Sequence, residues 1–379
     1  MECMPTLLST CDIDPINIDF RFLLARLHMD SIMSQPTRGD IKLALQNLPK
    51  GMKGLDETYK QAMERIESQG EGFRKLAKQI LSWVTHAKRP LSTAELRHAL
   101  AVKADMAKLD EDFLPEVEVL SSICAGLVIV DEQGEIVRLV HYTTQEYFER
   151  TSSFQNAETD ITVTCVTYLS FDTFAAGFCP TDEKFKERLQ LNPLYDYAAQ
   201  NWGHHARVAS AEVQQLIVSF LESEARVSGS SQAMMASKPY LGSSGYSQRV
   251  PRYMTGVHLT AYFRLRDEMV SLLSKGYYSD LKDTYGWTPL SWAARQGHES
   301  IVDLLLATRD VDPDSIDNNG RTPLSWAAEK GHKTVVGLLL KKKGVDLNSK
   351  DVESGQTPLS LAAEMSWIGS EARIPEPGQ

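Results

Sequence analysis

One phrase recurs in the last third of the chain and constrains its fold more than any other feature. Residues 288–298 read TPLSWAARQGH, and residues 322–332 read TPLSWAAEKGH, thirty-four residues on. A third copy opens as TPLSLAAE at Thr357, thirty-five residues after Thr322. A worn copy, TGVHLTAYFRL, starts at Thr255, thirty-three residues before Thr288. Self-similarity at this period predicts a stack of small helical units, because a single unit cannot bury its own apolar face.

Each residue type in the phrase has a mechanical task. Thr288-Pro289 and Thr322-Pro323 open a helix, with proline where its missing N–H costs nothing. Ala293-Ala294 and Ala327-Ala328 keep that helix thin enough for a neighbour to approach. Gly297 and Gly331 end it in a conformation that glycine accepts readily. A second helix follows, IVDLLL (301–306) and VVGLLL (335–340), with an apolar stripe for the first to cover. Asp283 with Gly286, and Asp317 with Gly320, supply the turns between units. The pattern closely resembles the ankyrin repeat. The histidine usual after TPL is replaced by Ser291, Ser325 and Ser360, and only the worn copy keeps it, as His258. That departure weakens a local hydrogen-bond network without changing the expected fold.

At 379 residues, the chain is long enough for several domains of roughly 100–200 residues each. Its net charge of −10 gives no overall basic character for nucleic acid. The longest basic run, Lys341-Lys342-Lys343, falls at a helix C-terminus, where it complements the dipole. Five cysteines, odd in number and with no CxxC pair, support neither a disulfide framework nor a zinc site. Residues 1–19 lack the charged start and apolar core of a signal peptide. No apolar run of about 18 residues offers a membrane span. A reducing, cytoplasmic setting is expected.

Upstream of the repeats the sequence predicts helices. FRFLLARLHMDSIM carries apolar residues at helical spacing, and Thr37 with Asp40 caps the next helix. Between 71 and 150 come FRKLAKQILSWVTHAK, STAELRHALAV capped by Ser92 and Glu95, and PEVEVLSSIC. Two short β-rich runs, LVIV and EIVRLV, then flank a turn at 131–134. Three helices and a hairpin are the order of a winged helix. The run AKRPLSTAELRHAL…CAGLVIVDEQGEIVRLVHYTTQEYF resembles the winged-helix segment of fungal NACHT–ankyrin proteins, a segment type named after GPI inositol-deacylases. FLLARLHMDS with LPKGMKGLDETYKQAMERI resembles the helices ahead of it there. CVTYLSFDTFAAGFC and PLYDYAAQNWGHHAR resemble the region after it. The resemblance implies a signal-transduction ATPase lineage with a role in intracellular, NLR-like sensing, including non-self recognition.

The expected architecture is mostly α: winged-helix and helical domains followed by an ankyrin-repeat solenoid. It comprises a disordered leader at 1–19, a helical lid remnant at 20–68, the winged helix at 69–152 and a helical domain at 153–225. A Ser/Gly-rich flexible linker at 226–250, ankyrin repeats at 251–365 and a disordered tail at 366–379 complete it. After Ala363 the repeat pattern fails, which suggests a truncated or mis-spliced end, with a natural short cap as the alternative.

Catalytic signals are weak. No Gly-Lys dipeptide occurs, so the phosphate-cradling GxxxxGK[ST] loop of the resembled ATPases is missing and no cofactor is expected. LVIVDE (127–132) imitates a metal-holding strand but reads better as half of the hairpin. His141 matches the histidine that contacts the ADP β-phosphate in the wider family; a hydrogen-bonded structural histidine is the stronger reading here. GSSGYS (242–247) is not GxSxG and lacks a strand–turn–helix context, so the deacylase name implies no esterase. His204-His205 reads as a surface pair without metal-ligand spacing. A winged helix can bind DNA, but its second helix offers only Arg97 and His98.

The chain is therefore expected to be a non-enzymatic interaction protein. The ankyrin resemblance implies binding through variable positions on the concave face, here Tyr285, Trp287, Arg295, Asn319, Arg321 and Glu329. Tyr, Trp and Arg are the types enriched at interface hot spots. Trp292 and Trp326, where leucine is usual, read as core. The expected partner is a protein, with no nucleic acid or membrane and with a NACHT module either separate or lost. The alternative is a C-terminal fragment of a nucleotide-switched NACHT ATPase whose P-loop core is missing.

Overall fold

A computed structural model describes residues 36–46, 51–104, 106–131, 135–236 and 244–363. The expected leader at 1–19 and tail at 366–379 lie outside these residues. The described residues fall into two units, those within 1–100 and 112–155, and those within 101–111 and 156–379.

The first unit opens with α1 (Arg38–Gln46), whose start is fixed by Thr37. Its hydroxyl donates to the Asp40 carboxylate and accepts the Asp40 N–H. Helix α2 (Gly51–Glu67) buries Leu55, Tyr59, Ala62 and Ile66, the three-to-four spacing of one helical face. α3 (Glu71–His86) buries Ala77, Ile80, Leu81 and Trp83. After a break at Pro90 comes β1 (Leu91–Ser92), then α4 (Thr93–Ala101). The expected capping box is present: Glu95 N–H donates to Ser92 Oγ at 3.2 Å, and Ser92 N–H donates to Glu95 at 2.8 Å. Arg89 clasps the same carboxylate with both terminal nitrogens, at 3.0 and 2.7 Å.

α5 (Val117–Ser122), β2 (Val128–Asp131), β3 (Ile136–Leu139) and α6 (Tyr142–Arg150) complete the unit. The sheet order is β1-β3-β2, antiparallel throughout, with Leu91 and Val130 on either side of Val137. Asp131 thus closes a strand opposite Ile136, as the hairpin reading requires. Helix α2 is the last of the helices expected in the lid remnant at 20–68. Tyr59 on α2 lies 2.7 Å from the Thr143 hydroxyl and 5.2 Å from the Tyr147 ring, both on α6.

The second unit carries α7 (Ala157–Leu169), α8 (Asp182–Leu191), α9 (Leu194–Ala206), α10 (Gln214–Leu221) and α11 (Glu224–Met235). The repeat helices follow in pairs: α12 (Gly256–Phe263) with α13 (Arg266–Ser274), α14 (Pro289–Gln296) with α15 (Glu299–Ala307), and α16 (Pro323–Glu329) with α17 (Lys333–Leu340). Residues 358–363 begin one more helix.

Among the described residues 226–236 and 244–250, the flexible linker expected at 226–250 is not found. α11 runs through its first half with Val227, Ser230, Ser231 and Gln232 buried. Its serines and glycine thin the helix: a Cβ on Gly229 would come within 3.1 Å of Gly177 O and 3.2 Å of the Tyr195 hydroxyl. Ser231 returns its hydroxyl to Val227 O at 2.7 Å, so its own burial leaves that donor met. Gln232 bonds both backbone groups of Cys179 and reaches Ser247 O. Asp182 accepts Gly245 N–H, Ser247 N–H and the Ser247 hydroxyl, and these bonds hold its carboxyl below its usual range. The GSSGYS letters therefore serve, over their described part, as a loop tied to a carboxylate.

The repeat stack is continuous with the helical domain. Phe263 at the end of α12 fills the notch at Gly203 on α9. Its ring lies 5.0 Å from Trp202 and 5.2 Å from His204, and a Cβ on Gly203 would stand 2.1 Å from Phe263 Cγ. Gly256 makes a similar approach to α10, where its Cβ would fall 2.4 Å from Leu221 O. The expected surface pair His204-His205 is divided. His204 is exposed, while His205 is fully buried between the Tyr197 hydroxyl at 2.8 Å and Glu158 at 2.5 Å.

Candidate partner-binding face

The threonine of each phrase caps its helix. Thr288 Oγ1 accepts Ser291 N–H at 3.2 Å, and Thr322 does the same for Ser325. In the first copy His258 goes further. Its Nδ1 accepts Thr255 N–H at 3.0 Å, and its Nε2 lies 3.2 Å from Trp287 O, one repeat on. Serine reaches only its own threonine, so the later junctions depend on other groups. His298 Nε2 contacts Tyr262 O and His332 Nε2 contacts Arg295 O, each at 2.9 Å. Gly297 makes room for that second contact, since a Cβ there would lie 2.6 Å from His332. The loop tips are laced by Thr284 N–H to Arg252 O, Asn318 N–H to Tyr285 O, and Val352 N–H to Asn319 O.

A second device answers the tryptophans. Asp283 accepts Tyr285 N–H and Trp287 N–H on one oxygen and Trp292 Nε1–H on the other. Asp317 repeats the arrangement with Asn319, Arg321 and Trp326. Each indole at a position usually held by leucine finds its acceptor nine residues upstream in its own turn. The third phrase has Leu361 there, and Asp351 binds Ser354 instead. In the sequence alone these aspartates carry only a turn role.

Burial pushes the imidazoles of His258 and His298 down to about 4. The Asp283 carboxyl is pushed up, again chiefly by burial. A histidine whose folded value lies below its ordinary 6.5 refuses a proton that the unfolded chain binds. Stability is therefore lost as pH falls from about 6.5 toward about 4. Thermal melts at pH 7, 6 and 5 should show a falling midpoint, with a flatter slope in the His258→Asn, His298→Asn double variant. Equal slopes would remove these histidines from the acid response.

Aromatic rings run along the helices of the phrase. Tyr262 lies 5.6 Å from Trp292, Trp292 lies 4.5 Å from Trp287, and Trp287 lies 4.4 Å from Trp326. Arg295 sits over Trp287 and Trp326, at 5.4 and 5.7 Å from their centroids. Arg321 sits 4.8 Å over Trp326 and pairs with Glu329 at 2.5 Å. Four of the six expected contact residues, Trp287, Arg295, Arg321 and Glu329, are thus brought together. Tyr285 and Asn319 stand on the exposed loop tips beside them, where the Tyr285 hydroxyl donates to Arg249 O at 2.8 Å.

The ladder corrects one assignment. Trp287, expected on the surface, is only 8% exposed and forms the middle of the ladder. Trp292 and Trp326 are core as expected. Tyr262, absent from the expected set, opens the ladder.

Comparison with known families agrees with this geometry. Residues 257–351 and 309–371 match the family model for ankyrin repeats (3 copies). The C-terminal arm is an ankyrin stack. Residues 63–174 match the model of the GPI inositol-deacylase winged helix domain, a wider span than the expected 69–152. No curated protein matches the chain.

In that winged helix, His141 caps α6 by accepting Thr143 N–H at 3.3 Å, and Arg97 donates to Pro115 O at 2.6 Å. Cys124, Cys165 and Cys179 are buried free thiols, and burial raises each of them. Among the described residues no cluster of three metal-ligating side chains occurs, and no helix is long and apolar enough to cross a membrane.

Proposed function

We propose that this chain is a non-enzymatic, cytoplasmic interaction protein that holds a protein partner on the concave face of its ankyrin stack, in an NLR-like sensing setting. The observation that carries this reading is the face itself. Tyr285, Arg295 and Asn319 line one side of a stack that the indole ladder and the aspartate turns hold rigid. Rigid, aromatic-backed surfaces lose little entropy on binding. Ankyrin repeats support a protein-interaction role in general, and buried free thiols suit a reducing compartment.

The test compares the intact chain with a Tyr285→Ala, Asn319→Ala variant in quantitative affinity capture. Proteins held through this face should be retained at least tenfold less by the variant, about 1.4 kcal/mol, while its melting midpoint stays within a few degrees. Unchanged capture by the folded variant would move the contact surface elsewhere.

A second reading is the nucleotide-switched fragment of a NACHT ATPase. It draws on a cavity of about 330 Å³ in the winged helix, lined by Lys88, Arg89, Arg138 and His141. Two of those groups are already engaged, Arg89 by Glu95 and His141 by Thr143. Calorimetric titration with ADP or ATP and Mg²⁺ should show no dissociation constant of about 10 μM or tighter, roughly 7 kcal/mol. Binding at that level would favour the fragment.

A further inference from the structure

The concave face solves one charge problem internally and leaves its neighbour open. In the third repeat the residue before the capping threonine is Arg321, and the residue seven after it is Glu329. They pair across the helix at 2.5 Å, and Lys330 completes the pair from the far side at 2.9 Å. In the second repeat the same two places hold Trp287 and Arg295. Arg295 therefore meets an indole where Arg321 meets a carboxylate. Its guanidinium lies against the two rings, and its buried Nε has no hydrogen-bond partner. The carboxylates of this face are engaged elsewhere: Asp283 by Trp292 and two N–H groups, Asp317 likewise by Trp326, and Glu329 by Arg321 and Lys330. No ion pair to Arg295 exists among the described residues.

From this we infer that Arg295 anchors an acidic side chain of the protein partner. The inference rests on the concave-face reading and gives its contact a chemistry. A guanidinium presents a planar fork that matches a carboxylate with two parallel N–H···O bonds. The Trp287 and Trp326 rings, 4.4 Å apart, both lie on one side of the guanidinium; they back the fork before a ligand arrives, so ordering it costs little on binding. The Arg321–Glu329 pair next to it shows this surface holding a guanidinium–carboxylate contact beside the same Trp326 ring. A partner offering Asp or Glu at Arg295 would extend that pattern by one repeat.

The test selects a phage-displayed random peptide library on the intact, immobilised chain and reads the composition of the peptides recovered. Asp and Glu should be enriched over the input library, and the enrichment should disappear on Arg295→Gln. A selected peptide synthesised with Glu or Gln at its acidic position should bind the unaltered protein about tenfold apart, a comparison that does not depend on the variant folding. Peptides that bind this face without acidic enrichment, or Glu and Gln forms of equal affinity, would overturn the anchor and leave the concave-face reading standing. If no recovered peptide is lost on Tyr285→Ala with Asn319→Ala, both fall.

Discussion

Trp287→Ala should unfold the ankyrin stack well before the unaltered protein melts, lowering stability by about 3–5 kcal/mol. The indole is 8% exposed and lies 4.5 and 4.4 Å from two other indoles. Removing it empties the centre of the ladder and strips Arg295 of one of its two rings. For a unit of this size the cost corresponds to a fall in melting midpoint on the order of 10 °C. Calorimetry or circular dichroism reads it directly. A midpoint within about 2 °C of the unaltered protein would show that the ladder does not hold the repeats together. The sequence alone points the other way, placing Trp287 among the contact residues of the concave face. Here tryptophans at the fourth position after both Thr288 and Thr322 build a wall that captures Trp287.

The second large effect is expected at Gly203→Ala. The new Cβ would stand 2.1 Å from Phe263 Cγ, with two further ring carbons inside 2.5 Å. Phe263 has no free direction in which to retreat, being packed on Trp202, His204 and Tyr262. Overpacking of this severity costs about 3 kcal/mol or more. Limited proteolysis should then cut between the helical domain and the stack faster than in the unaltered chain. Phe263→Leu in the same chain should restore part of the lost stability by vacating the space the methyl needs. A Gly203→Ala protein that melts and digests like the original would mean that the notch is not a tight joint.

What was legible in the sequence follows local physics. The thirty-four-residue phrase gave the stack, because each capping threonine, alanine pair and terminal glycine acts within one repeat. Ser92 with Glu95, and the paired β runs around 131–134, were legible for the same reason: their partners lie a few residues away. What stayed hidden depends on residues far apart in the chain. Ser230, Ser231 and Gln232 look like linker composition until Cys179 and Ser247 are brought beside them. His205 looks like half of a surface pair until Glu158, forty-seven residues earlier, closes on it. Among the candidate site residues, Arg321 and Glu329 sit on one helix and its turn, whereas the burial of Trp287 needs Trp326 from the next repeat.

The notch at Gly203 bears on how the arm can be handled. Terminal repeats of a stack ordinarily carry a polar outer face, but α12 turns Phe263 and Gly256 toward α9 and α10. The helical domain is thus the stack's end cap, supplied by the same chain. A piece cut at residue 251 would bare Phe263 and the backbone around Gly256 to water, becoming sticky where the intact protein is sealed. Binding seen with such a piece would report the broken joint. A partner that pulls on the repeats of the whole protein pulls on α9 and α10 through this joint.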